Sequence, residues 1–181
     1  MPEVLDKLLN DHRNIETLIQ VIEKEIQIFE SGKHPDYELV RSVLHYLLTY
    51  PDLHHHPLED ALVRELAKKT VENEVPGAAD LEREHRRLSS TIQRFQAALN
   101  NILSDEMLPR DWFCTIAREF ANFQRKHLQM EEVVIFPAAK RLLSDAEWAR
   151  VGKNVNPHLD PLFGPDPDAD FADLRTRLSA G

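Results

Sequence analysis

Apolar residues recur in steps of three and four along separate segments of this chain, and in three of those segments a histidine stands where the next apolar residue is due. The first segment carries Leu5, Leu8, Ile15, Ile19, Ile22, Ile26 and Phe29, with His12 in the gap. Another carries Leu81, Leu88, Ile92, Phe95, Leu99 and Ile102, with His85 in the gap. A later one runs Phe113, Ile116, Phe120, Phe123, then His127, Glu131 and Val134. Residues three and four apart share one face of a helix, so each segment predicts an amphipathic helix whose buried stripe is broken by polar groups. A further helical region is expected from about Tyr37 to Lys69, interrupted by Pro51 and Pro57 and holding the run "LHHHPLEDAL" at 53 to 62.

Four such helices with short connections bury their stripes most simply as an all-α, up-down-up-down four-helix bundle. Only 5 glycines among 181 residues, and the lack of alternating apolar patterns, argue against sheet. "SGKHPD" at 31 to 36 ends the first helix, with Gly32 suited to a left-handed C-terminal cap and Pro35 unable to continue it. "LSDAEWARV" at 143 to 151 predicts a short fifth helix, with Ser144 and Glu147 forming a capping box. Residues 1–151 are therefore expected to form the bundle, and 152–181 an irregular tail, rich in proline and aspartate, that wraps the surface or is partly mobile.

The formal net charge of −9, with cationic residues scattered among acidic ones, argues against nucleic acid as a partner. No apolar run approaches the roughly 20 residues needed to span a bilayer, and the start "MPEVLDKLLNDH" does not read as a signal peptide. The expectation is a cytoplasmic protein without membrane association. The single cysteine, Cys114, cannot form an internal disulfide and is expected to be a small core residue.

Polar side chains on the buried faces of four helices each cost roughly 2 kcal/mol or more without a partner, and ionised carboxylates cost more. A divalent cation removes that cost, because neutral imidazole and carboxylate can both ligate it. His55 and Glu59 lie one turn apart, as do His127 and Glu131, so each pair can offer one nitrogen and one oxygen to a common centre. With His12 and His85, the candidate set is four histidines and two carboxylates. "DHRNIET" at 11 to 17 parallels "EHRRLSS" at 84 to 90, and "HHPLEDALV" at 55 to 63 parallels "HLQMEEVVI" at 127 to 135. This echo predicts a site of approximate twofold symmetry, with two metals each held by two histidines and bridged by the two glutamates. His56 with Asp60 is the rival register; His55 with Glu59 is preferred because it aligns with the second hairpin. His54 and His56 are then expected to face solvent or a neighbouring helix, and His34, His45 and His158 to lie on the surface or in loops.

Four stretches, "NDHRNIETL", "YPDLHHHPLED", "EREHRRL" and "FQRKHLQMEEVVIFP", make residues 1 to about 151 resemble the hemerythrin-like, or HHE cation-binding, domains. That resemblance implies a bundle with a non-haem di-iron centre, two irons bridged by carboxylates and commonly by an oxo or hydroxo group. Carried over by motif, the metal ligands would be His12, His55, Glu59, His85, His127 and Glu131. The oxygen-carrying members have a second histidine one turn after the first on the third helix, and Ser89 stands there in this chain. The resemblance therefore implies a four-histidine centre with open positions, less suited to simple oxygen transport. Glu16, one turn after His12, is a candidate further ligand or a hydrogen-bond acceptor behind one.

The expected function is binding or sensing of a small molecule, such as dioxygen, nitric oxide or peroxide, at an open metal position. Iron handling or repair of iron–sulfur centres is one alternative, although the cysteine-containing N-terminal segment of the repair members is not seen here, and a structural zinc site in an interaction module is another. No nucleophile with an adjacent base is evident, so no enzymatic reaction is assigned. Pro57 is expected to mark a bend, with a new helical turn capped by Asp52, that aims His55 inward. Tyr46, Tyr50, Trp112, Phe120 and Phe123 are expected to form walls near the site.

Overall fold

The computed structural model describes residues 2–70, 74–104, 109–153, 160–165 and 167–180. Every regular element among them is helical: α1 Glu3–Glu30, α2 Tyr37–Tyr50, α3 His56–Ala67, α4 Leu81–Leu103, α5 Arg110–Met130, α6 Phe136–Leu142, α7 Asp145–Gly152 and α8 Ala172–Ala180. Short 3-10 turns at Ala78–Asp80 and Ala169–Phe171 precede α4 and α8. None of the described helices is long and apolar enough to cross a membrane.

Local chemistry sets the helix ends. Gly32 follows α1 with φ +80°, a left-handed conformation that glycine adopts without strain, and its N–H donates to the Phe29 carbonyl at 3.1 Å. The Asp36 carboxylate caps α2 by accepting from Leu39 N–H at 3.0 Å, while the Asp36 N–H donates to Glu25 Oε2 at 2.7 Å. Ser144 and Glu147 form the capping box expected for α7, with the Ser144 N–H donating to Glu147 Oε2 at 2.8 Å.

Neither proline breaks its helix. The backbone runs from α2 through Pro51–His55 into α3, and from α5 through Glu131–Ile135 into α6, by way of a five-residue π-helical segment in each case. The His56 N–H reaches back five residues to the Pro51 carbonyl, and the Phe136 N–H to that of Glu131. A proline, Pro57 or Pro137, follows each segment at the second position of the resumed α-helix. The wider π turn accommodates a residue that cannot donate and whose ring crowds the preceding turn. This corrects the expectation of an Asp52-capped restart: Asp52 lies inside the first π segment, and its carboxylate serves side chains instead.

The interior is divided into two apolar clusters. Ile15, Ile19, Tyr46, Tyr50, Ile92, Phe95 and Phe120 belong to the first, together with buried Cys114. Leu5, Leu8, Leu58, Leu62, Leu81, Ile135 and Phe136 belong to the second. On α1 the boundary between them falls at His12, on α4 at His85, on α5 at His127 and Glu131, and on the α2–α3 path at His55 to Glu59. The histidines and carboxylates thus form a polar layer across the middle of the bundle.

In the C-terminal segment, α8 and its preceding turn place Phe171 and Leu174 in the first apolar cluster beside Leu162. Asp160 anchors it: one carboxylate oxygen accepts from the N–H groups of Leu162 and Phe163, both at 2.9 Å, and the other from Tyr46 Oη at 2.8 Å. Trp112 does not line the interior; it sits in the first turn of α5 and is 41% exposed.

Candidate metal centre

The structure brings all six sequence-derived candidates into one buried layer. His12, His55, Glu59, His127 and Glu131 are each at most 2% exposed, and His85 is 6% exposed. His12 Nε2 lies 3.1 Å from Glu59 Oε1 and 3.4 Å from Glu131 Oε2. His55 Nε2 is 3.1 Å from Glu59 Oε1, His127 Nε2 is 3.4 Å from Glu131 Oε2, and His85 Nε2 is 3.4 Å from Glu59 Oε2. The two carboxylates therefore occupy the centre, with imidazole nitrogens around them.

His56 joins this layer, contrary to the expectation that it faces away. It is 5% exposed, and its ring stacks on that of His85 with centroids 4.2 Å apart and planes at 14°. His55 closes the π segment and His56 opens α3, and both rings face the layer. No equivalent second histidine arises on the other hairpin, where the π segment follows His127 and the next residue is Leu128. The predicted twofold symmetry is thereby broken. Potential ligand atoms fall into two groups, each within 4.8 Å: His12, His55 and Glu59 in one, and His56, Glu59, His85 and His127 in the other.

Five carboxylates stand behind the five rings. His12 Nδ1 meets Glu132 Oε1 at 2.9 Å, His55 Nδ1 meets Asp11 Oδ2 at 3.3 Å, and His85 Nδ1 meets Asp60 Oδ1 at 3.1 Å. His127 Nδ1 meets Glu84 Oε2 at 3.1 Å, and His56 Nδ1 meets Asp52 Oδ1 at 3.0 Å. A carboxylate accepts at Nδ1, so Nδ1 carries a proton and Nε2 faces inward, where its lone pair serves a cation once the ring is neutral. Four of these contacts close a ring: Asp11 of α1 holds His55, Asp60 of α3 holds His85, Glu84 of α4 holds His127, and Glu132 after α5 holds His12. Each of these acids adjoins a candidate ligand in sequence but braces the histidine of the next helical stretch. An acid beside four of the six candidates, as in "DH", "ED", "EH" and "EE", was the available signal.

The rival pairing of His56 with Asp60 is not formed, since Asp60 takes His85 and Asp52 takes His56. Glu16 is also outside the site; its carboxylate is held by Arg125, with Nη2 to Oε1 at 2.7 Å. His45 stacks on Phe171 at the surface, His34 is exposed, and His158 lies outside the described residues. Tyr50 does approach the centre, accepting from Lys7 Nζ at 2.7 Å and donating to Asp11 at 3.4 Å. Phe136, not anticipated as a wall, lies against His12 with ring centroids 5.2 Å apart.

Burial would push Glu59 upward, but the surrounding His55, His12 and His85 outweigh it and hold this carboxyl well below its ordinary range. Glu131 is driven well above that range by burial and by the adjacent Glu59. Burial disfavours protonation of His55 and His85 as well, but nearby carboxylates overcome it and raise them to about 10 and about 11. For His56 burial wins, lowering it to about 4.

The inward Nε2 atoms of His55, His56, His85 and His127, with Glu59 Oε2 and both Glu131 oxygens, are buried without a hydrogen-bond partner. Buried polar groups are seldom left so, and a cluster of lone pairs aimed at one another is what a cation neutralises. The donor set thus fits a divalent metal, with borderline nitrogen and hard oxygen ligands and no thiolate. Comparisons with curated proteins and with solved structures found no match. The model of the hemerythrin HHE cation-binding domain matches residues 3–139. Because that stretch is most of the chain and contains every residue of this layer, the chain belongs to the hemerythrin HHE cation-binding domain family.

Proposed function

We propose that this protein is a non-haem di-iron protein that binds or senses a small molecule, dioxygen, nitric oxide or peroxide, within an up-down-up-down four-helix bundle. The observation that carries the reading is the buried set of unpartnered Nε2 and carboxylate atoms, which lies among two groups of potential ligands that share Glu59. His12 and His55 would hold one ion, His85 and His127 the other, with Glu59 and Glu131 bridging. Two bound irons would supply a redox-active Lewis-acid pair to which a small oxidant or nitric oxide can bind.

The protein's own part is positional and electrostatic. The ring of carboxylates fixes which nitrogen of each imidazole faces inward and makes that nitrogen more basic. The apolar clusters on both sides keep the layer dry, which favours a small neutral ligand over a charged or bulky one. A groove beside His12, bordered by Leu128, Glu132 and Val133, brings solvent close to the first group.

Anaerobic titration of the ferrous-iron-loaded protein with nitric oxide, and separately with dioxygen and peroxide, tests the reading by optical spectra. New charge-transfer bands that saturate at a fixed stoichiometry are expected with at least one of the three. Spectra unchanged by all three would contradict it.

A further inference from the structure

We propose that His56 is a fifth histidine ligand, delivered by the π segment to the metal position faced by His85 and His127, and that Asp52 and Ser89 form the clamp that orients it. This rests on the two-metal reading and extends it, giving the centre three histidines on one side and two on the other.

Three observations carry it. First, the His56 ring is polarised for ligation: Nδ1 meets Asp52 Oδ1 at 3.0 Å, leaving the Nε2 lone pair free, and that Nε2 is buried without a partner. A histidine kept merely for packing would not need a carboxylate behind one nitrogen and an empty direction ahead of the other. Second, the Nε2 direction is shared, because His56 stacks on His85 at 4.2 Å, meets His127 edge-on at 6.2 Å, and has a ring nitrogen within 4.8 Å of ligand atoms of Glu59, His85 and His127.

Third, the clamp reaches across to α4. The Ser89 hydroxyl lies 2.9 and 2.8 Å from the two oxygens of Asp52. Ser89 is one turn after His85, where a direct histidine ligand would otherwise be carried, and here its short side chain instead steadies the acid that holds His56. The ligand that α4 lacks is thus replaced from the α2–α3 path, and serine at 89 belongs to the replacement.

The test uses the full chain, stripped of metal and titrated anaerobically with cobalt(II), whose ligand-field bands report coordination without turnover. Metal stoichiometry, stepwise affinity and the histidine count per metal from X-ray absorption are measured for wild type, His56→Ala, His56→Gln, Ser89→Ala and, as a control, exposed His45→Ala. Wild type is expected to bind two ions sharing five histidines. In both His56 variants one of the two steps should weaken by roughly 100-fold or more and the count fall to four. In Ser89→Ala the same step should weaken by about 10-fold, as for a residue acting behind a ligand. His45→Ala should match wild type. His56→Gln keeps a polar side chain at the position, and circular dichroism of the metal-free form separates lost ligation from lost fold. Two ions bound by folded His56 variants with wild-type affinity and an unchanged histidine count would overturn the assignment while leaving the two-metal reading standing. Failure of wild type to bind two ions would overturn both.

Discussion

Asp11 Oδ2 lies 3.3 Å from Nδ1 of His55, joining the residue before one candidate ligand on α1 to a different candidate 44 positions along the chain. The same carboxylate is held by Lys7 Nζ at 2.7 Å. The ring of His55 is therefore oriented from outside the site before any metal arrives.

Replacing Asp11 with Ala should leave the helical fold in place and lower metal affinity by about 10- to 100-fold, the usual cost of removing an acceptor behind a histidine ligand. Competition against a chromophoric chelator measures it. Wild-type affinity in Asp11→Ala would deny the brace any part in binding.

Glu131→Gln should separate stability from metal binding. In the metal-free protein burial and the adjacent Glu59 raise the Glu131 carboxyl well above its ordinary range, a penalty on the ionised form that an amide of the same shape does not carry. Its metal-free melting temperature should rise, by about 2–4 °C for each kcal/mol relieved in a chain of this size. Metal stoichiometry should fall below two, since the amide keeps only one of the two oxygens proposed to bridge. A variant less stable than wild type without metal would contradict the account of this pair.

Metal uptake should release protons. His55 and His85, raised to about 10 and about 11 despite burial, are protonated in the metal-free protein at neutral pH, whereas ligation requires neutral rings. At least two protons per chain, from His55 and His85, should therefore appear on loading near pH 7.5, with the proton favoured on Glu131 adding to them, and apparent affinity should climb by about 100-fold or more per pH unit from 7 to 9. For the metal-free fold the sign is opposite: a raised histidine pKa contributes stability that is fully present below the unfolded value and is lost as pH rises through about 10 to 11. A pH-indicator titration checks the release, and affinity independent of pH would refute it.

The helices and three of the candidate histidine positions were legible from periodicity, since His12, His85 and His127 fill gaps in apolar stripes, and His55 with Glu59 was legible from its alignment with His127 and Glu131 in the second hairpin. What escaped was long-range or register-dependent. The carboxylate ring pairs each acid with a histidine on another helical stretch, which no local spacing reveals. His56 was turned away by the assumption that adjacent residues take different faces, and Pro57 was read as marking a helix restart where the chain instead passes through a π segment without breaking. Trp112 shares the period of the core stripe only in size, since it starts α5 on the solvent side.

Tyr46→Phe should loosen the C-terminal segment selectively. Tyr46 is buried, and its Oη donates to Asp160 Oδ2, so the variant leaves that oxygen only the longer bond from Asn14 Nδ2 at 3.4 Å, a loss of about 1 kcal/mol. Faster hydrogen exchange over residues 160–180, with the helices around the centre unchanged, is the expected pattern. Equal exchange in variant and wild type would show that Asp160 does not anchor the segment.

The central claim, that Glu59 and Glu131 bridge two metals, is tested most directly by elemental analysis of protein reconstituted with ferrous iron under nitrogen, desalted and then exposed to air. Two irons per chain with near-ultraviolet bands of an oxo- or hydroxo-bridged pair are predicted. One metal per chain, or zinc retained in preference to iron with no such bands, would contradict it.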